Sequence, residues 1–181
     1  MNKIILALAI FAFGFVNAQE TKFGVKGGLN LSNLTNSDGS KSQVAFNIGG
    51  FAEIKLNEKF AIQPELLYSG QGAKYQDVGN FSMNYINVPV MAKYFITEVF
   101  DIEAGPQVGF LMSAKADGND VKEFVKSTDF GANFGAGYDV TKNIGLNLRY
   151  CLGLSGVDKE ISAGDKSSKN SVIQLSVGYK F

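Results

Sequence analysis

Histidine is absent from this 181-residue chain, cysteine occurs once and proline three times. The missing imidazole excludes Ser-His-Asp and Cys-His nucleophilic catalysis and removes the commonest zinc ligand. No enzymatic activity, cofactor or metal centre is therefore expected. The single cysteine, Cys151, cannot form an internal disulfide, and none follows the apolar N-terminal run to carry a lipid anchor. An excess of one charge is also lacking, since Lys and Arg total 17 and Asp and Glu total 17. Neither nucleic acid nor a strongly charged partner is implied. Beyond the first residues no stretch approaches 18 uninterrupted apolar residues, so no membrane-spanning helix is expected.

Lys3, the apolar run from Ile4 to Val16 and the small-residue ending Val16-Asn17-Ala18 form the pattern of a secretory signal peptide. About 13 apolar residues fall short of the roughly 20 that a spanning helix needs. Residues 1–18 are expected to be removed after Ala18, leaving one domain over 19–181. Loss of Lys3 leaves 16 basic residues against 17 acidic ones, a net charge of −1.

Glycine and phenylalanine are abundant, at 21 and 15 residues, and with few prolines this favours strands and tight turns. Alternation of apolar and polar residues predicts eight strands, at 22–31, 43–56, 59–71, 85–97, 99–113, 128–140, 143–154 and 170–181. Long polar connections, SNLTNSDGSKS, GAKYQDVGNFSMN, AKADGNDVKEFVKS and SGVDKEISAGDKSSK, take turns with short ones at Asn57-Glu58, Thr97-Glu98 and Thr141-Lys142. This is an antiparallel up-and-down meander with its long loops at one end and both termini at the other, the pattern of an outer-membrane barrel. The short-turn end, with both termini, would be periplasmic.

Direction of the faces separates a membrane barrel from a soluble one. One row carries Phe23, Val25, Leu29, Phe46, Ile48, Leu66, Ile102, Phe110, Phe130, Phe134, Leu146 and Leu148, with no charge among its strand residues. Those side chains are too large for an eight-stranded interior that side chains only just fill. The opposite row mixes charges with glycines such as Gly24, Gly28, Gly105, Gly135 and Gly137, which suits a narrow lumen. The expected fold is thus an all-β, eight-stranded antiparallel transmembrane β-barrel, greasy outside and polar inside. Its sheet must close, because lipid cannot hydrogen-bond an open edge. The last segment, NSVIQLSVGYKF, would pair with the first strand.

Six residues, Lys26, Glu53, Glu65, Lys93, Glu103 and Arg149, are expected to form a charge network in the lumen, because buried charges need partners. Its role would be structural, as a plug, or selective, in a pore. Phe60, Tyr94, Phe100, Tyr138, Tyr179 and Phe181 would form an aromatic girdle at the membrane interface. Pro64, Pro89 and Pro106 fall inside predicted strands and call for bulges or irregular pairing. Asp117-Gly118-Asn119-Asp120 offers oxygens to calcium but lacks the twelve-residue loop with its final Glu. Cys151 falls on the lumen row as a small filler.

The runs FNIGGFAEIKL, IQPELLYSGQG, INVPVMAKYF, AGPQVGFLMSAK, DFGANFGAGYDV and NLRYCLGLSGV resemble the recurring blocks of the PorT-like outer-membrane β-barrel domain family, the porin-family proteins of Gram-negative bacteria. The likeness covers nearly all of 19–181, and the family's own pattern includes Pro64 and Pro89. It implies a fold and an outer-membrane location but no agreed activity. The terminal Phe181 resembles the signal read by the outer-membrane insertion machinery, which would be a partner during biogenesis along with outer-membrane lipid. A structural or surface-interaction role, with an extracellular ligand at the long loops, is the first expectation. A narrow porin-like channel for ions or small solutes is the alternative, and an outer-membrane enzyme ranks last.

Overall fold

The computed structural model describes residues 20–35, 40–75, 79–159 and 167–181, so the expected signal peptide lies outside the described residues. Eight strands dominate: β1 (Glu20–Thr35), β2 (Ser40–Lys55), β3 (Phe60–Tyr75), β4 (Gly79–Phe95), β5 (Phe100–Ala116), β6 (Thr128–Asp139), β7 (Ile144–Gly153) and β8 (Lys169–Lys180). Each pairs antiparallel with its neighbour in sequence, and β8 pairs with β1 from Lys180 opposite Gly24 to Lys169 opposite Thr35. The result is a closed, eight-stranded, up-and-down barrel. Phe181 N–H donates to the Phe23 carbonyl at 2.9 Å, so the ladder runs to the final residue.

The three short turns share one device. Asn57 Oδ1 accepts the N–H groups of Lys59 and Phe60, each at 2.9 Å. Thr97 Oγ1 accepts those of Val99 and Phe100, and Thr141 Oγ1 those of Asn143 and Ile144. In each turn a short polar side chain replaces a backbone acceptor, as Asx and Ser/Thr turns do. These are the turn positions expected from the sequence.

At the opposite end the first two long loops are shorter than the sequence suggests. Pairing continues to Thr35 and Ser40 between β1 and β2, and to Tyr75 and Gly79 between β3 and β4. Alternation marks only the part of a strand with one apolar wall, whereas the backbone ladder needs no apolar side chains to continue. The Asp117-Gly118 step is a tight turn joining Ala116 to Asn119, with both residues at positive φ.

The prolines interrupt pairing without shifting it. Beside Pro64 the β2–β3 ladder passes from Phe51–Glu65 to Ile54–Ile62 in unchanged register, leaving two pairs unformed between them. Pro89 leaves the same gap between β3 and β4, and Pro106 between β4 and β5. A missing N–H removes ladder bonds on one side only. The register shifts lie elsewhere, between Ser42 and Asn47 on β2 and between Asn84 and Tyr85 on β4, where Met112 is the extra residue on β5.

The faces are inverted relative to a soluble protein. Phe134, Leu146 and Val177 are 53, 42 and 51% exposed, while Glu65 and Arg149 are 4 and 1% exposed. Glycines permit the narrow bore: a Cβ on Gly28 would strike the Leu175 carbonyl, and one on Gly137 would lie 2.5 Å from Asp101 Oδ2.

Two measurements check this arrangement. The folded protein extracted in detergent should migrate faster on a gel before boiling than after, because a closed ladder offers SDS no edge. Leu148→Arg, at the middle of the outer wall of β7, should lower stability in lipid vesicles by about 2–4 kcal/mol, read by urea unfolding. An unchanged midpoint would mean that this face does not meet acyl chains.

Candidate functional site

The lumen is the one place where the fold concentrates chemistry. Arg149, on β7, aims its guanidinium across the bore at two carboxylates. Nη1 and Nη2 donate to the two oxygens of Glu65 on β3 at 3.0 and 2.9 Å, and Nε donates to Glu103 Oε1 on β5 at 2.9 Å. Lys26, on β1, donates to both Glu65 oxygens at 3.1 Å and to Asn147 Oδ1 at 3.2 Å. A planar fork matches a carboxylate with two parallel bonds, which fixes position as well as charge.

A second cluster lies nearer the short turns. Lys93 pairs with Glu53 at 2.9 Å and Asp101 at 3.2 Å, and Lys180 with Glu53 at 3.2 Å and Asp139 at 2.9 Å. Gln63 joins the two groups, donating to Glu65 Oε1 at 2.6 Å and accepting from Lys93 at 3.5 Å. Four cations, Lys26, Lys93, Arg149 and Lys180, thus face five anions, Glu53, Glu65, Asp101, Glu103 and Asp139, for a net charge of −1. The Phe95 ring lies beside this cluster, 5.4 Å from the Lys93 ammonium and 5.5 Å from that of Lys55.

Above the charges runs an amide belt. Asn47 donates to Asn30 Oδ1, Asn30 donates to Ser69 Oγ and the Gly70 carbonyl, Ser176 donates to Asn47 Oδ1, and Asn133 donates to Gln107 Oε1. Higher still the lumen turns apolar. Leu34, Ala73, Met83, Tyr85, Leu111 and Ala114 point inward from the walls, and Val125 and Val157 are inserted from the two last loops. Those loops hold one another across the mouth: Lys126 N–H donates to the Val157 carbonyl and Lys159 N–H to the Phe124 carbonyl, while Val157 N–H donates to the Ser168 carbonyl within the last loop.

All six expected network residues are buried and joined, although they form two clusters bridged by Gln63 rather than one group. Asp101, Asp139 and Lys180 complete the second cluster and belong with them. The expected charge plug occupies the lower bore, and the upper part is filled by an apolar cluster that the alternation did not reveal. Strands β3 to β5 carry apolar residues on both faces there, and a pattern of two faces does not reveal height along the axis. Phe51 was also hidden in the pattern: it points inward, its ring packed against Gly24 and Gly178. Phe60, Tyr94, Tyr138, Tyr179 and Phe181 are exposed on the outer wall at the short-turn end and Phe100 is half-buried there. Phe60 and Tyr94 face each other across the β3–β4 ladder with ring centroids 5.1 Å apart.

Because Glu65 accepts both bonds of the Arg149 fork and also pairs with Lys26, Glu65→Gln should lower stability by about 3–5 kcal/mol. Unfolding in urea, followed by loss of the fast-migrating gel form, measures it; Phe124→Ala, on an exposed loop side chain, is the control and should leave the midpoint unchanged.

The barrel resembles solved barrel structures at low sequence identity. Neisserial surface protein A superposes with a TM-score of 0.65 at 18% identity, covering 90% of this chain and 100% of that one. Ail, the attachment invasion locus protein of Yersinia pestis, superposes at 0.55 and 15% identity, with 90 and 100% covered. No curated protein matches the chain. The family model described as "Outer membrane protein beta-barrel domain" matches residues 17–159. A closed barrel with an apolar wall and a paired ionic lumen, matched over most of its length by that model, belongs to the outer membrane protein beta-barrel domain family.

Proposed function

We propose that this outer-membrane barrel is a non-conducting one whose work is done by its loop end at the cell surface. The observation that carries the reading is the double closure of the bore, by ion pairs near the short turns and by the Val125–Val157 lid near the loops. A closed lumen leaves the rim as the surface that can meet other molecules. A depression there is lined by Leu34, Tyr75, Asn80, Phe81, Asp158 and Ser168, and its mix of apolar and polar walls suits an extracellular ligand. A structure of the Yersinia pestis protein Ail, which shares this fold, is in complex with the heparin analogue sucrose octasulfate.

The same reading has the leader of residues 1–18 directing export and both termini in the periplasm. The six end aromatics would form the interfacial girdle, and Phe181 would be read by the insertion machinery. The PELLYS and VPVMAKYF blocks support the narrower PorT-like grouping within the family.

A narrow channel is the second reading, favoured by one feature. A vestibule lined by Lys26, Phe51, Lys93, Asp101, Asp139 and Lys180 opens into the lumen near the short turns. Planar-bilayer recording separates the two. The intact protein should give no reproducible conductance steps, and Arg149→Ala alone should also stay silent, because the apolar seal remains above it. Steps in the intact protein would establish the channel.

A further inference from the structure

One buried carboxylate belongs to neither ionic cluster. Asp129, at the start of β6, lies above the amide belt, away from both ionic clusters. It is 7% exposed, and its carboxylate accepts from Ser155 Oγ and from Asn170 Nδ2 at 2.9 Å. Both donors are neutral. The Tyr85 phenol also faces Asp129 and Asn170, and Asp129 belongs to none of the ion pairs described above. A buried carboxylate without a counter-charge is costly.

The atoms around it compound the imbalance. Asp129 lines a small cavity together with Gln71 from β3, Gln107 from β5, Cys151 from β7 and Asn170 from β8. Gln71 and Asn170 are each 3% exposed, and in each the amide oxygen has no hydrogen-bond donor. The Asn170 amide nitrogen is committed to Asp129, and that of Gln71 donates to Ser69 Oγ at 3.3 Å. Two unpartnered carbonyl-type oxygens and one carboxylate thus border the same space. A cavity of about 10 Å³ has room for a single water-sized species.

We propose that this cavity is a binding site for one monovalent cation of the size of sodium, held by Asp129, Asn170 Oδ1 and Gln71 Oε1. Every unsatisfied group there is an oxygen acceptor, so the occupant must present positive charge or donors. A single carboxylate with neutral oxygens supplies one negative charge, which balances a monovalent ion. Calcium sites use 6–8 oxygens, commonly from several carboxylates, and magnesium gives up its waters reluctantly. The ion would also fasten the lid, since Ser155 reaches Asp129 from the loop that carries Val157 and Asn170 is the second residue of the closing strand β8.

The test is thermal unfolding of the purified barrel in lipid-free, non-ionic detergent, with sodium, potassium, lithium or choline chloride at one ionic strength. Wild type should unfold at a higher temperature in sodium than in choline, with a saturable dependence on sodium concentration. Gln71→Met, which removes a ligand and leaves the carboxylate, should weaken the apparent sodium affinity at least tenfold, and Asp129→Asn should abolish the response. Identical curves in sodium and choline for wild type would overturn the proposal, since a bound water or proton does not distinguish those salts; this holds whether or not the variants fold. A sodium response retained at full strength in both variants would also overturn it, by moving the ion elsewhere.

Discussion

Hydrocarbon offers no partner to a peptide N–H or C=O, and each such group left unpaired in it costs several kcal/mol. The rest of this molecule follows from that constraint. A sheet that crosses a membrane must have no edges, so β8 has to find β1, and it does so along twelve residue pairs ending beside the last residue of the chain. Closure with eight strands then fixes a bore that side chains only just fill. Glycine at Gly28 and Gly137 is a response to that narrowness, because at each a Cβ would strike a neighbouring backbone or carboxylate.

A narrow bore in turn dictates its contents. Water has little room there, so a charge pointing inward must meet an opposite charge. The Arg149 fork spans β3, β5 and β7, and Lys26 adds β1 to the same knot. Lys180 ties the closing strand β8 to Glu53 on β2 and Asp139 on β6. These pairs link strands that are not neighbours in the sheet. A barrel ladder by itself connects only adjacent strands, so the ionic clusters brace the cylinder across its diameter. Buried pairs of this kind are weak contributors to net stability, but they specify which strand faces which across the bore.

The upper bore follows a different rule. The loops after β5 and β7 insert Val125 and Val157 among Met83, Tyr85 and Leu111, and the loop backbones bond to each other rather than to solvent. The seal is therefore made of the same kind of contact as a soluble core, turned into the mouth of a membrane protein. Charge in one storey and apolar packing in the other close the lumen by two independent means, and Asp129 stands between the second storey and the amide belt as the acid that neither resolves.

The sequence alone determined the strand number, the three short turns, the inversion of the faces and the six ionic residues of the lumen, because each is written in a period of two or in a local turn residue. Alternation says which wall a side chain faces, and Phe134 and Arg149 obey it. It carries no information about height along the axis or about partners across the bore. Only the tertiary structure decided that Glu65 meets Arg149, 84 residues away, that Gln63 bridges two clusters, and that lone valines in polar loops complete a seal. It likewise set the ladder's true ends and the harmless gaps beside the prolines. The physical reason is that register and closure bring together residues from distant strands, and no local pattern of residues encodes a distance that exists only once the cylinder has shut.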